Sequence, residues 1–158
     1  MADSRVDLVK SPIGVAVKSG APKPDISSAE TIRRALLAAK SIAYSDSASG
    51  VYVSTEMFQK LGIAEEMKDK LVPNPGGSFH ARRVVQGEAN LAVQAEHEIR
   101  CVKGATFVPF PPVFQRTIVF VGGVGIPAGN ADAATAYLAF LTGADTGNAY
   151  SAHCLPRG

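Results

Sequence analysis

The chain has no tryptophan, only two cysteines and almost no excess of one charge. The cysteines, Cys101 and Cys154, allow at most one intrachain disulfide, which excludes a small fold held together by a disulfide framework. No apolar run reaches the ~18 residues that a membrane-spanning helix needs. With 158 residues, of which 46% are hydrophobic, the sequence predicts one globular domain, or a lobe with appendages, that is not inserted in a membrane.

Charge is balanced along the whole chain. The chain has 16 lysines and arginines and 14 aspartates and glutamates, which gives a formal net charge of +2. The longest basic runs are Arg33-Arg34 and Arg82-Arg83, and no aromatic residues are interleaved with them. A nucleic-acid partner is therefore not expected.

The first ten residues lack the apolar segment of a signal peptide. Taken as written, the sequence predicts a cytoplasmic protein. A fragment that lacks its leader would look the same and would be periplasmic. Two cysteines do not decide between these compartments.

The most informative segment runs from Ser41 to Tyr52. Ile42 and Tyr44 alternate with other residues as in a strand, a serine-rich turn follows, and a helix is predicted to begin near Gly50. Such a turn presents backbone N–H groups at the positive end of a helix dipole, where proteins commonly bind oxyanions. Serine and aspartate also cap ordinary helices, so simple capping is the alternative interpretation.

Strand-like and helix-like segments alternate along the chain. Short strands are predicted at Val6–Val9 and Ile13–Lys18, separated by Ser11-Pro12. The segment Ser27–Glu30 has the pattern of a capping box, with Ser27 as the N-cap of the first helix. The other predicted strands are Ile42–Ser45, Leu91–Ala95, Thr106–Phe110 and Thr117–Val121. This alternation predicts an α/β fold with a mixed, mostly parallel sheet flanked by helices.

Four segments in order resemble the molybdate-binding-like periplasmic proteins, which are type II solute-binding proteins of ABC transporters. Ser11–Ser27 is similar to the hinge and the entry to the second lobe in that family. The other three segments are Ser41–Val51, Gln86–Ala89 and Ala136–Thr142. The resemblance covers nearly the whole chain from about Ser4. It implies a single lobe of a type II periplasmic-binding-protein-like fold.

Members of that family have two α/β lobes and bind an oxyanion in the cleft between them. The resemblance implies that this chain has the complete second lobe, about Ile13 to Val121, and lacks most of the first lobe. We therefore expect a second-lobe-like domain over residues 1–125. Residues 126–158 would be the C-terminal helices that pack on the first lobe in the family. Closure of two lobes around a ligand is not expected of such a chain alone.

The resemblance also implies a ligand site in this sequence. Backbone N–H groups of the serine-rich turn would be the donors, and Gln94, at the end of a predicted strand, would lie where the second lobe supplies a ligand residue. The predicted ligand-binding residues are Ser45, Asp46, Ser47, Ser49, Gly50, Val51 and Gln94. Tyr52 could stack on a ligand or bond to it, or be a partly buried aromatic residue. The predicted function is binding of a small oxyanion or carboxylate, with no cofactor.

An enzyme is the second hypothesis. The same turn could serve as an oxyanion site, with His80, His97 or Glu96 as acid or base. His97 and Cys101 would share one face if their segment is helical, but no further ligand follows at a recognisable spacing. We therefore expect no metal site.

The third hypothesis is an interaction protein in which the old ligand site is vestigial. The predicted helix Ala131–Leu141 is apolar on almost every side, and such a helix must be buried on more than one face. The first lobe would cover it in the resembled family. Because most of that lobe is absent from this sequence, we expect a homodimer or larger assembly in which the C-terminal helices lie between subunits.

Overall fold

The computed structural model of the protein describes residues 4–44, 46–73, 79–126 and 128–155. The chain forms two compact units. The larger unit is Pro12–Thr117, and the smaller unit combines the residues up to Ser11 with those from Ile118 onward. Compactness does not tell which lobe of a longer protein an element belongs to, so the assignment of residues 1–125 and 126–158 stays a prediction.

The described residues form six strands in one sheet. The order is β3-β2-β4-β1-β5, and β6 pairs with β1. Strands β2, β3 and β4 are parallel, whereas β1 is antiparallel to both β4 and β5. Four of these five strands therefore run in one direction, which confirms the predicted mixed, mostly parallel sheet. The strands are β1 Val6–Lys18, β2 Ile42–Tyr44, β3 Leu71–Pro73, β4 Leu91–Ala95, β5 Ala105–Pro109 and β6 Thr117–Gly122.

Helices alternate with these strands, as the sequence predicts. One continuous helical run changes from α-helix to π-helix over Val53–Met57 and back. Short 3₁₀ turns at Lys68–Lys70 and Ala144–Thr146 extend two other segments. The α-helices are α1 Ala29–Ala38, α2 Ala48–Tyr52, α3 Phe58–Lys60, α4 Ala64–Met67, α5 Ala81–Gln86, α6 Glu96–Arg100, α7 Ala131–Thr142 and α8 Gly147–Ala152.

The first strand differs from the sequence prediction. Ser11-Pro12 does not interrupt it, and β1 is continuous from Val6 to Lys18. Proline restricts φ to a value that extended backbone tolerates, so it removes one ladder donor without ending the strand. The next residue, Ile13, restores pairing by donating its N–H to the Arg116 carbonyl at 2.8 Å.

Gly14 is a buried residue in the middle of this strand. It is paired with Gln94 on β4 and with Pro109 on β5. A Cβ at Gly14 would lie 2.3 Å from the Phe107 ring and 2.5 Å from the Val108 carbonyl oxygen. Only glycine therefore lets these strands pair while the Phe107 ring packs across them.

Helices on the sheet bury a continuous core in the larger unit. Ile32 and Leu36 of α1, spaced by four residues, are almost fully buried. Other core side chains are Met57, Phe58, Ile63, Met67, Ala81, Val84 and Ile99. The core explains why short helices such as α5 are stable here, because packing rather than propensity stabilises short helices.

The cap of α1 is one residue later than the sequence predicts. Ser28, not Ser27, is the N-cap, and its Oγ accepts the Thr31 N–H at 3.2 Å. Thr31 completes the box because its Oγ1 accepts the Ser28 N–H at 3.0 Å. Ser27 instead donates its hydroxyl to Asp25 at 2.7 Å. Glu30 is left in the first turn, where its charge favours the helix dipole.

The smaller unit buries fewer of its side chains than the larger unit does. Leu138 of α7 faces Gly122 and Leu8, so one side of this helix lies on β6 and β1. No described residue of α7 is buried. The large apolar side chains that are exposed in this unit are Val119, Phe120, Val121, Ile126, Tyr137 and Phe140. No helix in the described part of the chain is long and apolar enough to cross a membrane.

Candidate functional site

The candidate site lies at one edge of the sheet, where parallel strands end together. Ile42 of β2 is in register with Leu91 of β4 and Leu71 of β3. Since these strands are parallel, their C-terminal ends share one edge. Open α/β sheets usually bind ligands outside this edge.

Three helices of the larger unit begin at that edge. Helix α2 starts at Ala48, shortly after β2, and α6 starts at Glu96, directly after β4. The first residue of α5, Ala81, donates its N–H to Gln94 near the end of β4, at 2.9 Å. Each helix start carries partial positive charge, so the three helices together favour an anion at this edge.

Side chains of the protein already occupy the start of two of these helices. The Oε1 atom of Gln94 accepts the Ala81 N–H of α5. The carboxylate of Glu98 accepts the Ala95 N–H at the start of α6, at 3.1 Å. These bonds satisfy donors that a helix leaves without an intrahelical partner.

The start of α2 is built differently. Ser47 is its N-cap, yet the Ser47 side chain does not cap the helix. Its hydroxyl is instead 3.4 Å from the Ser49 hydroxyl. The intrahelical ladder begins with Val51, whose N–H donates to the Ser47 carbonyl at 2.9 Å. The N–H groups of the first turn precede this ladder, beside two hydroxyls, as an oxyanion site requires.

Most of the predicted site residues meet at this turn. Ser49 and Gly50 are buried, whereas Asp46, Ser47 and Val51 are exposed, so the turn has a buried floor and an open rim. The helix starts at Ala48 rather than near Gly50, which puts Ser49 and Gly50 in its first turn. Ser45 lies outside the described residues. The assignment of these residues to a ligand stays a prediction.

Gln94 is a buried residue with a defined bond. It is 1% exposed, and its Oε1 accepts the Ala81 N–H. Because Oε1 must face this donor, the amide nitrogen Nε2 is the atom through which the side chain can donate. Gln94 therefore links the end of β4 to the start of α5, and its role toward a ligand stays a prediction.

Tyr52 is a buried aromatic residue with a bonded hydroxyl. Its OH donates to the Phe114 carbonyl at 2.8 Å, and burial raises the pKa of this phenol. The guanidinium of Arg116 lies over the ring, 5.1 Å from its centroid. The Tyr52 hydroxyl is thus engaged with the backbone and the ring with Arg116.

Arg116 is a residue that sequence reasoning missed. One of its nitrogens, Nη2, is 2.7 Å from Oε2 of Glu56 on the π-helical segment. This ion pair raises the pKa of Arg116. Arg116 belongs to no motif and lies far along the chain from Tyr52 and Glu56. Only the folded chain brings the three together.

The acid and base candidates have distinct surroundings. Glu96 is paired with Arg100 at 2.6 Å, one turn along α6. His97 is half-buried, and burial lowers its pKa although the nearby Glu98 opposes the shift. His80, beside the start of α5, is 1% exposed. A lowered pKa favours the neutral imidazole of His97, which is the form that a general base needs.

His97 and Cys101 do lie one turn apart, and the Cys101 N–H donates to the His97 carbonyl at 3.1 Å. Cys101 and Cys154 are both disulfide-bonded. A sulfur in a disulfide is not a thiolate ligand. No group of three or more His, Cys, Asp or Glu residues that could hold a metal occurs among the described residues.

The mixed, mostly parallel sheet flanked by helices is the fold of periplasmic-binding-protein-like structures. The family model of bacterial extracellular solute-binding proteins matches residues 1–153. The chain therefore belongs to this family, which confirms the resemblance to solute-binding proteins.

One curated relative is an aconitate isomerase of a Pseudomonas species. It is 38% identical over 151 residues, which are 93% of this chain and 56% of that protein. The chain thus spans about half the length of this relative.

Solved structures of low sequence identity share the fold. The substrate-binding domain of a molybdenum ABC transporter from Clostridium difficile matches with a TM-score of 0.73 and 19% identity, over 100% of this chain and 68% of that one. The periplasmic molybdate-binding protein of Azotobacter vinelandii matches with a TM-score of 0.63 and 16% identity, over 97% and 68%. A periplasmic thiamin-binding protein matches with a TM-score of 0.66 and 14% identity, over 98% and 53%.

Proposed function

We propose that this domain binds a small anion, and specifically a carboxylate, at the start of α2. The observation that carries the proposal is the geometry of that turn. Its first-turn N–H groups lie at the C-terminal edge of parallel strands, and the Ser47 hydroxyl is turned toward Ser49 rather than onto them. The other two helix starts at this edge are occupied by Gln94 and Glu98.

Two relatives support an anion as the ligand. The Azotobacter protein is named for binding molybdate, an inorganic oxyanion. The Pseudomonas relative is named for acting on aconitate, a tricarboxylate, and its identity to this chain is higher. The same backbone donors accept oxyanions and carboxylates. We propose a carboxylate first because the relative named for acting on a carboxylate is the more similar of the two in sequence.

The test is a thermal-shift and calorimetric comparison of cis- and trans-aconitate, citrate, molybdate, sulfate and acetate. A ligand at 100 times its dissociation constant stabilises the folded state by ~2.7 kcal/mol. We expect a polycarboxylate to raise the melting temperature most. If no anion at millimolar concentration shifts the melting temperature, the binding proposal is wrong. That result would favour the hypothesis of an interaction protein with a vestigial site.

Ser47→Asp is the informative variant for this site. An aspartate at the N-cap would supply an internal carboxylate to the first-turn N–H groups and compete with any bound anion. We expect the free protein to be as stable as the wild type or more stable, and its response to anions to be lost. Ser28→Asp is the matched control, since it makes the same change at the N-cap of α1.

An isomerase is the second candidate function, and the 38% identity to an aconitate isomerase favours it. Isomerisation leaves the composition of the substrate unchanged, so it needs a group that can remove a proton and return it. His97 fits this role better than Glu96, which is paired with Arg100, or His80, which is buried. Conversion of cis- to trans-aconitate, followed by NMR and abolished in His97→Gln, would establish this activity.

We also propose that the protein is a homo-oligomer. Exposed apolar side chains lie on both β6 and α7, and the rings of Tyr137 and Phe140 stack at 6.4 Å on the helix surface. Among the described residues β6 pairs only with β1, so its other edge is an unused row of backbone donors and acceptors. A second copy of the chain would cover both features at once.

A periplasmic location is proposed rather than the cytoplasmic one. Both cysteines are disulfide-bonded, and disulfides persist in oxidising compartments such as the bacterial periplasm. Alkylation of the native protein, taken directly from cells and then denatured, should find no reactive thiol. Two modified cysteines per chain would favour the cytoplasm.

A further inference from the structure

The larger unit has a cavity of about 400 Å³ beside α1. It is lined by the segment Pro22–Asp25, which follows β1, by α1, and by Leu91. Leu91 is the first residue of β4, so this lining lies at the opposite end of that strand from Gln94. Small-molecule sites in proteins have volumes of ~300–1,000 Å³, so the cavity is large enough for a small organic ligand.

The apolar part of the lining comes mainly from α1 and its C-cap. The core side chains of this helix, Ile32 and Leu36, lie on another face. Ala39 and Leu91 are almost fully buried, so part of the cavity surface belongs to the edge of the core. The lining residues of the helix and its C-cap are spaced by three and four positions and therefore share one face. They are Thr31, Arg34, Ala35, Ala38 and Ala39.

The segment Pro22–Asp25 is held in place before any ligand binds. Pro22 and Pro24 have restricted φ angles. On one side of the segment, the Ala21 N–H donates to the Lys18 carbonyl at 3.0 Å. On the other side, Ile26 is buried. Because a preformed site has little conformational entropy to lose, this arrangement favours binding.

Two cations line the cavity. Lys23 and Arg34 form no ion pair within the described part of the chain. Asp25 accepts the Ser27 hydroxyl at 2.7 Å and the Ser27 N–H at 3.1 Å. These bonds lower the pKa of Asp25, and the charge of Arg34 contributes to the shift. The cavity thus combines two positive charges with one carboxylate that is bonded to Ser27, which favours an anionic ligand.

We propose that this cavity is a second ligand site, which binds a small monocarboxylate with an apolar body. Arg34 and Lys23 bind the carboxylate, and the apolar body packs against Ala35, Ala39 and Leu91. This site shares no residue with the proposed anion site at α2 and does not depend on it.

The test titrates the whole chain with hexanoate and follows the amide resonances by NMR. Hexanol lacks the charge of hexanoate, hexylamine reverses it, and acetate lacks the apolar body. We expect hexanoate to shift the amides of residues 31–39 and to bind at least about threefold more tightly than each of the other three probes. Equal binding of hexanol, or tighter binding of hexylamine, would overturn the proposal.

Arg34→Gln tests the charge. It should weaken hexanoate binding about three- to tenfold, as expected for the loss of one charge-assisted hydrogen bond at a partly exposed site. Arg33→Gln is the matched control, because it makes the same change at a neighbouring residue that does not line the cavity. Equal losses in both variants would indicate a long-range effect of net charge and would overturn the assignment to this cavity.

Ala38→Phe tests the space. Ala38 is exposed, so the larger side chain should fill the cavity without disturbing the core. We expect hexanoate binding to be lost, and to be retained in Ala29→Phe, which alters an exposed residue at the other end of α1. Retained binding in Ala38→Phe would overturn the proposal. The melting temperature shows whether each variant folds, and Ala38→Leu replaces Ala38→Phe if the latter does not.

Ser47→Asp separates the two sites. This variant is expected to block anions at the start of α2 and should leave hexanoate binding unchanged. Loss of hexanoate binding in Ser47→Asp would assign the ligand to the α2 site and overturn the second site. If the wild type binds hexanoate but no other anion, the second site stands and the proposed anion site fails.

Discussion

At the scale of single residues, Gly14 shows how one missing Cβ decides the pairing of strands. We expect Gly14→Ala to lower the free energy of unfolding by ~1–3 kcal/mol or more, because the added carbon overlaps the Phe107 ring and a backbone oxygen. Urea denaturation measures this loss. Gly147→Ala is the control, since Gly147 has helical backbone and nothing within 4 Å of an added Cβ. An equal loss in both variants would contradict the steric explanation.

The lowered pKa of His97 predicts that the stability of the protein depends on pH. Burial lowers its pKa below the ordinary 6.5, so the unfolded chain binds the proton more readily than the folded protein. Stability is therefore fully present above about pH 6.5. It falls as the pH drops from there to the lower pKa of the folded state. We expect the difference between the melting temperatures at pH 8 and pH 5.5 to be smaller in His97→Gln than in the wild type. An identical difference in both proteins would argue against this origin.

Gln94 has a structural role, as the acceptor of the Ala81 N–H, and a predicted role in ligand binding, and one variant tests both. Replacing it by leucine removes the acceptor of the buried Ala81 N–H, which should cost ~1–3 kcal/mol of stability. Thermal or urea denaturation measures this cost. Calorimetry with citrate then reports on the ligand role separately. A variant of unchanged stability would show that the Ala81 bond has no energetic role.

At the scale of elements, the cap of α1 provides a comparison between neighbouring serines. Ser28→Ala removes the acceptor of the Thr31 N–H and should destabilise the protein by ~1 kcal/mol. Ser27→Ala removes only an exposed bond to Asp25 and should cost less. Denaturant midpoints of the two variants give the comparison, and the reverse order would favour the capping box predicted from sequence.

The elements differ in how far their own residues specify them. The bounds predicted for β4 match Leu91–Ala95, and the helix predicted to start at Ala131 extends to Thr142. Both segments have a strong local pattern with turn residues on each side. Glu96–Arg100 carries no such pattern. It is helical because it follows β4 directly and buries Ile99 against the core.

At the scale of the whole molecule, the exposed apolar surface predicts self-association. Light scattering at tens of micromolar should give a mass above the 16.5 kDa of one chain. Replacing the exposed Tyr137 and Phe140 by serine should dissociate the assembly without unfolding the chain. Thr135→Ser, on the exposed part of the same helix, is the neutral control.

Leu138 is expected to behave differently from its exposed neighbours. It faces Gly122 and Leu8, so Leu138→Ser should unfold the smaller unit rather than merely separate subunits. Hydrogen exchange distinguishes the two outcomes by the loss of protection in β6. A wild-type protein that sediments as a monomer would contradict the oligomer proposal, whatever the variants do.

The sequence by itself determined the alternation of strands and helices, the serine-rich turn after β2 and the apolar nature of α7, because each depends on residues that are neighbours in the chain. Tertiary structure decided which residues far apart in the chain form hydrogen bonds and ion pairs with each other. The strand order brings Gln94 to Ala81 and Arg116 to Tyr52 and Glu56. The tertiary structure also allows β1 to continue through Pro12, because the Ile13 N–H donates to the Arg116 carbonyl. Hydrogen bonds and ion pairs of this kind follow from sheet register, which no local pattern encodes.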